Sequence, residues 1–287
     1  MSIEESSEPA FTLGSAFRPE TTGDDAVTEM VRVLDFQDLA PSIERLRVWA
    51  LAAAEVRRGE VCLDLGSGTG VMTRRLAELT GPEGQALGIE PNDVLRAVAE
   101  QRAATAGSTA QFRAGLATEI PLPDASVDLV WCERVLQHVP DAAAAVVEIA
   151  RVLRPGGRAL LLDSDHESRV ESDIDPSVAR AMTQAFLGQM ANATAARHLP
   201  RQAMAAGLVV DPDVGSSALV LSEHELVSSQ LHRLSAEQAV VEGLITREQA
   251  DEALRSQAEA ARQGWAFSAV TVFGFVCRKP DPGTMGP

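Results

Sequence analysis

In Asp64-Leu65-Gly66-Ser67-Gly68-Thr69-Gly70, glycine occupies every second position of a turn. The turn lies between an apolar alternating run at Val61–Leu65 and a helical pattern carried by Val71, Leu76 and Leu79. Glycines suit such a strand–turn–helix unit because the backbone bends sharply and a ligand must approach it closely. The amides opening the helix favour an anionic group, and Asp64 adds an acceptor just before the turn. That pairing suits a zwitterion or an amino group better than a bare pyrophosphate. Glu90 ends the next strand of the pattern, where a carboxylate can accept both hydroxyls of a ribose. A dinucleotide fingerprint wants Gly or Ala where Val71 stands, so NAD is the weaker reading.

The elements that hold these residues alternate strand and helix, the sign of a parallel sheet with right-handed crossovers. Strands are expected at residues 61–65, 85–90, 110–115, 127–132 and 158–163. Helices begin near Asp24 and at Pro41, and the clearest spans residues 141–153, with Asp141 as N-cap and Pro155-Gly156-Gly157 as the stop. After Asp165 the rhythm breaks. Asp175-Pro176 opens a helix whose Val178, Met182, Phe186 and Met190 recur every fourth residue. A shorter helix near residues 202–207 and a strand near 218–221 follow. Three capping-box patterns then predict helix starts at Ser222/Glu225, Ser235/Gln238 and Thr246/Gln249. An alternating, aromatic-rich strand at 267–277 closes the pattern. Residues 1–23 read as a mobile tail, although Phe11 and Phe17 could fold over a ligand, and residues 281–287 read as a second tail.

Composition narrows the function classes. The formal charge of −16 comes with basic residues scattered singly or in pairs, which argues against a nucleic-acid surface and against adhesion to an anionic membrane. Cys62, Cys132 and Cys277 are far apart in apolar runs, giving neither a disulfide framework nor a zinc site. Buried free thiols and a cytoplasmic location are expected, with no signal peptide and no membrane span.

Six motifs stand in order: the glycine turn with Asp64; Glu90; Ile120-Pro121-Leu122-Pro123-Asp124; Val127-Asp128-Leu129-Val130; Val135-Leu136-Gln137-His138-Val139-Pro140-Asp141; and Arg151-Val152-Leu153-Arg154-Pro155-Gly156-Gly157. Together they resemble a class I S-adenosylmethionine-dependent methyltransferase, closest to the small-molecule branch around the quinone-biosynthesis C-methyltransferases. The resemblance implies a Rossmann-like α/β fold: a seven-stranded, mostly parallel sheet with the last strand antiparallel, plus helical inserts. One domain over residues 24–280 is expected, with its core at 45–165 and lid inserts at about 166–198 and 222–266. It also implies S-adenosylmethionine as cofactor. Asp64, Gly66, Ser67, Gly68 and Gly70 would surround the methionine part, Glu90 and Pro91 the ribose, and Leu116 and Ala117 the adenine. Trp131, Cys132 and Glu133 would lie near the sulfonium. Leu116 departs from the pattern, since the family has an acidic residue there.

A sulfonium methyl is already activated, so catalysis is mainly in-line alignment, and a base is needed only when the acceptor must lose a proton. His138 fits that role or a purely structural one in the loop before Asp141. His166 lies beside Asp163 and Asp165, where a histidine should have a raised pKa and serve as base or clamp; a solvated loop is the alternative. Glu133 fits either a base or a contact to the cofactor's amino group. His198, His224 and His232 fall in inserts and carry no assigned role. Met182, Phe186 and Met190 would pack the core or line an apolar acceptor pocket. No metal is expected, because Asp163 and Asp165 alone do not gather a site. The expected activity is methyl transfer to a small hydrophobic metabolite of secondary metabolism, with O-methylation favoured over N or C. The alternative is a binding protein or non-methylating catalyst that keeps the cofactor. The helices of residues 222–263 fit either a lid or a homodimer surface.

Overall fold

The computed structural model describes residues 24–221, 226, 230–281 and 283. The proposed tails, Phe11, Phe17, His224 and the Ser222/Glu225 pattern lie outside the described residues, except for Asp281 and Gly283 of the second tail. The chain begins with α1 (Asp24–Asp38) and α2 (Pro41–Ala54), then runs β1 (Val61–Leu65), α3 (Val71–Thr80), β2 (Gln85–Ile89), α4 (Asp93–Thr105), β3 (Gln111–Arg113) and β4 (Val127–Glu133). A short 3-10 turn (Leu136–His138) leads to α5 (Ala142–Val152), β5 (Leu153–Glu171), α6 (Pro176–Leu187) and α7 (Ala195–Ala205). The remainder is β6 (Val209–Val220), α8 (Gln230–Val241), α9 (Arg247–Arg262) and β7 (Ser268–Arg278).

The sheet has seven strands in the order β3-β2-β1-β4-β5-β7-β6. β1 to β5 are mutually parallel, and β7 runs antiparallel to both β5 and β6. This is the mostly parallel sheet with an antiparallel last strand that the resemblance implied. Both faces are covered, so the central strands are nearly all apolar. On one face Val130, Cys132 and Leu161 pack against Val146 and Ile149 of α5 and Leu199 of α7. On the other, Leu129, Trp131 and Leu160 pack against Ile43, Leu46 and Ala50 of α2 and Leu76 of α3. A third cluster joins α6, α8 and α9 through Val178, Met182, Ala236, Ile245 and Ala250. Among the described residues no helix is long and apolar enough to cross a membrane.

Several boundaries differ from the sequence expectation. β5 does not stop at Asp163 but continues to Glu171, because its polar end still pairs with β7, Val170 opposite Ala269. β6 spans Val209–Val220 rather than a short segment. Ser235 does not start a helix; it is buried inside α8. The capping spacing also arises within a helix, where positions three apart share a face, and buried Ala236 and Ala239 hold that face inward. Thr246 does cap α9, with the reciprocal bonds to Gln249 both formed. α6 ends at Leu187, which leaves Met190 beyond the helix.

Candidate active site

The turn after β1 is tied to the end of β2. The amides of Gly66 and Ser67 donate to the Ile89 carbonyl at 2.8 and 3.1 Å. The Gly68 amide donates to Glu90 Oε2 at 2.9 Å, and the Asn92 amide to Glu90 Oε1 at 3.0 Å. Gly66 has φ +72°, and a Cβ there would stand 2.4 Å from Val135 Cγ2. Gly68 has φ +51°, and a Cβ there would meet nothing closer than Leu34 Cδ1 at 3.4 Å, so this glycine opens onto a cleft. α3 begins at Gly70 without a side-chain cap, leaving its first amides for a ligand.

Leu34 and Asp38 of α1, Arg47 of α2, Asp64, Gly66 to Thr69, Trp131, Glu133 and Arg134 line that cleft. Arg47 Nε donates to Glu133 Oε1 and Oε2 at 3.1 and 2.9 Å, and Arg47 Nη2 donates to Asp38 Oδ1 at 2.6 Å. Trp131 Nε1 donates to Glu133 Oε2 at 3.1 Å. Burial alone would raise the Glu133 carboxyl, but Arg47 and Arg134 hold it below the usual range. Asp64 accepts from Thr73 Oγ1 at 2.6 Å, yet burial raises its carboxyl to about 7. Burial also raises Glu90, against its two backbone donors.

Further along the same edge lies a second polar group. Asp163 is buried, accepts from the amides of Ser164 and Gln137 at 2.8 and 3.2 Å, and is raised by that burial to about 7. His166 Nε2 lies 2.9 Å from Gln137 Oε1, and His138 Nε2 lies 3.1 Å from Gln137 Nε2. The His166 ring meets the Phe186 ring edge-on at 5.0 Å, and the Arg169 guanidinium lies 4.8 Å over the same phenyl ring.

The raised pKa expected for His166 is corrected. Burial, followed by the charges of Arg169, His138 and Arg134, pushes it down to about 3. Asp165 faces Arg197 instead, at 2.6 Å, and Asp163 is engaged by amides. Burial similarly pushes His138 down to about 4. Both rings are therefore neutral at physiological pH.

The structure brings Asp64, Gly66, Ser67, Gly68, Trp131 and Glu133 together around one cleft. Glu90 reaches it through Gly68, whereas neither Gly70, which faces Phe112 and Ala99, nor Pro91 is among the lining residues. Leu116 is exposed and forms a bridge with Glu119, and partly buried Ala117 packs against the core below. Cys132 is fully buried, with its side chain in the core on the α5 face. Met182 packs among α8 and α9, so of the apolar stripe it is Phe186 that borders His166. His232 is engaged elsewhere, 3.0 Å from Glu171, and His198 lies on α7. Sequence reasoning missed Arg47, Arg134 and Gln137. Arg134 carried a signal only in three dimensions: a non-glycine residue at φ +56°.

The cleft fits the cofactor of the resembled family. Its carboxylates and guanidinium groups complement the ammonium and carboxylate of an amino acid. Ser67 Oγ and Arg134 Nε are buried on its wall without a hydrogen-bond partner among the described residues. The methyltransferase-domain family model matches residues 63–161. An uncharacterized 37.1 kDa protein in transposon TN4556 of Streptomyces fradiae is 32% identical over 257 residues, covering 88% of this chain and 72% of that one. The ubiquinone/menaquinone biosynthesis C-methyltransferase UbiE of Marinomonas sp. (strain MWYL1) is 33% identical over 134 residues, 45% of this chain and 53% of that protein. The chain thus spans about half the length of that enzyme. Among solved structures, the YcgJ protein of Bacillus subtilis shares the fold at a TM-score of 0.55 and 19% identity, over 82% of this chain and 98% of that one. The chain belongs to the class I S-adenosylmethionine-dependent methyltransferases. It is an enzyme of that class, and S-adenosylmethionine is its cofactor.

Proposed function

We propose that the chain methylates a hydroxyl oxygen of a small, apolar acceptor held between the cofactor cleft and α6. The observation that carries this reading is the neutral, partly buried His166 beside Phe186: a hydrogen-bond acceptor next to an aromatic wall, past the end of the cofactor strands. When bound, S-adenosylmethionine supplies an activated methyl. The chain's own residues do the positioning. Arg47 and Arg134 would hold the methionine carboxylate, Asp64 and Glu133 its ammonium, and Glu90 the ribose hydroxyls. Ser67 and the Gly66–Gly68 backbone would follow the methionine chain. His138 and His166 would orient the acceptor and receive its proton in a hydrogen bond, and Phe186 would exclude water. α6, α8 and α9 would form the cover of the acceptor pocket within one domain.

A second reading is methyl transfer to a ring carbon of a hydroxylated aromatic, favoured by the likeness to a protein named a C-methyltransferase. A hydrogen bond that draws the ring hydroxyl's proton serves both outcomes. Incubation with methyl-labelled S-adenosylmethionine and a panel of phenols, followed by NMR of the product, tests the proposal. A labelled methoxy group is expected; a labelled C-methyl would move the assignment to the second reading. Cofactor binding with no labelled product across the panel would overturn both.

A further inference from the structure

Gln137 bridges the two histidines, and its two ends are chemically distinct. Its Nε2 donates to the Arg134 carbonyl at 3.2 Å, a group that can only accept, and lies 3.1 Å from His138 Nε2. Turning the amide over would set oxygen against that carbonyl, so the network selects the orientation with Oε1 toward His166, 2.9 Å from its Nε2. An amide oxygen only accepts, so His166 Nε2 carries the proton. Burial keeps the ring neutral, so its other nitrogen is a bare lone pair. That nitrogen, Nδ1, is buried and has no hydrogen-bond partner among the described residues.

The bridge is itself fixed. The Gln137 amide donates to Asp163 Oδ2 at 3.2 Å, and the Asn192 amide donates to the Gln137 carbonyl at 3.0 Å. Asn192 Nδ2 donates to the carbonyls of Leu136 and Val139, at each end of the 3-10 turn. The His166 amide donates to the Ala193 carbonyl at 2.9 Å, which ties β5 to the same loop. His166 lies four positions past Leu162, the register partner of Glu133, on the part of β5 that overruns the cofactor strands.

We infer that Gln137 is a positioning residue: it locks His166 as the Nε2–H tautomer, so that the bare Nδ1 accepts a hydrogen bond from the O–H or N–H of the methyl acceptor. This rests on the proposed function and deepens it, since it selects acceptors that donate a proton at the reacting group. An unpartnered buried nitrogen costs stability, and a donor on the substrate recovers it. The same lock makes His138 Nε2 an acceptor and not a donor.

The test uses the whole protein carrying 15N-histidine, saturated with S-adenosylhomocysteine, in long-range 1H–15N spectra at pH 7. Loss of a signal pair in His166→Asn assigns that ring. The expected result is a protonated Nε2 and a bare Nδ1; an Nδ1–H tautomer or an imidazolium overturns the inference. Gln137→Glu keeps an acceptor for His166 and should leave its signals in place while shifting those of His138, whose Nε2 must now donate. Gln137→Met should move both rings, and unchanged His166 signals there would overturn the positioning role. Titration with 1-naphthol and with naphthalene reads the acceptor side. Naphthol is expected to bind about three- to tenfold more tightly and to shift the Nδ1 signal. Equal behaviour of the two, including binding of neither, overturns that half of the inference. Failure of wild-type protein to bind S-adenosylhomocysteine would instead count against the methyltransferase reading, while the tautomer remains readable without ligand.

Discussion

Arg47 and Glu133 form a nearly buried ion pair at 2.9 Å, joining α2 to the end of β4 across the mouth of the cofactor cleft. Burial alone would pull the guanidinium down, but Glu133 and Asp38 hold it above the ordinary arginine value. Arg47→Met should lower stability by about 3–5 kcal/mol, because it strands a buried carboxylate, and should also weaken S-adenosylhomocysteine. Arg47→Met/Glu133→Gln should recover most of the stability and none of the binding. Thermal melts and calorimetric titration of the variants separate these outcomes.

In the proposed site, Asp64 would link cofactor binding to pH. In the free protein its carboxyl titrates at about 7, and an ammonium beside it favours the ionised form. Binding should therefore release a proton below that pH. S-adenosylhomocysteine affinity should rise as pH increases from about 5 to 8. Calorimetry in buffers of different ionisation heat measures the released proton directly, and Asp64→Asn should abolish both the release and the pH dependence.

Asp163 carries a stability signature of its own. Its folded pKa is raised to about 7 from an ordinary value of 3.8, so the folded state holds more protons between those values. Its contribution is fully present below the lower value and is lost as pH rises through the upper one. In urea unfolding from pH 4 to 8, the stability difference between wild type and Asp163→Asn should fall by an amount on the order of a few kcal/mol, which separates this carboxyl from Asp64 and the histidines. The two depressed histidines act in the opposite sense. Their stability is present above pH 6.5 and lost as pH falls toward 4, so His138→Ala should flatten the acid side of the same curve.

The glycines of the turn should separate by consequence. Gly66→Ala combines a left-handed φ with a contact of 2.4 Å to Val135, and should cost well over 1 kcal/mol in a melting experiment. Gly68→Ala carries a φ penalty of roughly 1 kcal/mol but points its methyl into the cleft, so it should fold and lose S-adenosylhomocysteine affinity instead.

The central sheet and the glycine turn were legible because their information is local: apolar runs, a turn that needs glycine, and a carboxylate at a strand end. Arg47 was not, since it meets Glu133 across 86 positions and sits in a helix that carries no motif. The extent of β6 was hidden by Asp211, Pro212, Asp213 and Gly215, residues that usually mark a turn. An edge strand with a register shift between Val210 and Val214 tolerates them. Gln137 and the neutral state of His166 were invisible for a related reason. The sequence placed two carboxylates next to His166, but chain neighbours in a strand point to opposite faces, and what decides the charge is the packing.

The outer wall of the cofactor cleft is one helix, α1, which supplies Leu34 and Asp38. It is pinned by Gln37 to Arg134 and by Asp35 to Arg102 at 2.8 Å, the latter pair half in solvent. Spent cofactor competes with its own replacement, so if α1 must move for release, the rate of that motion would enter turnover. On that reading the part-buried Gln37–Arg134 bond and the half-exposed Asp35–Arg102 pair would set the residence time of the cofactor from outside the reacting centre.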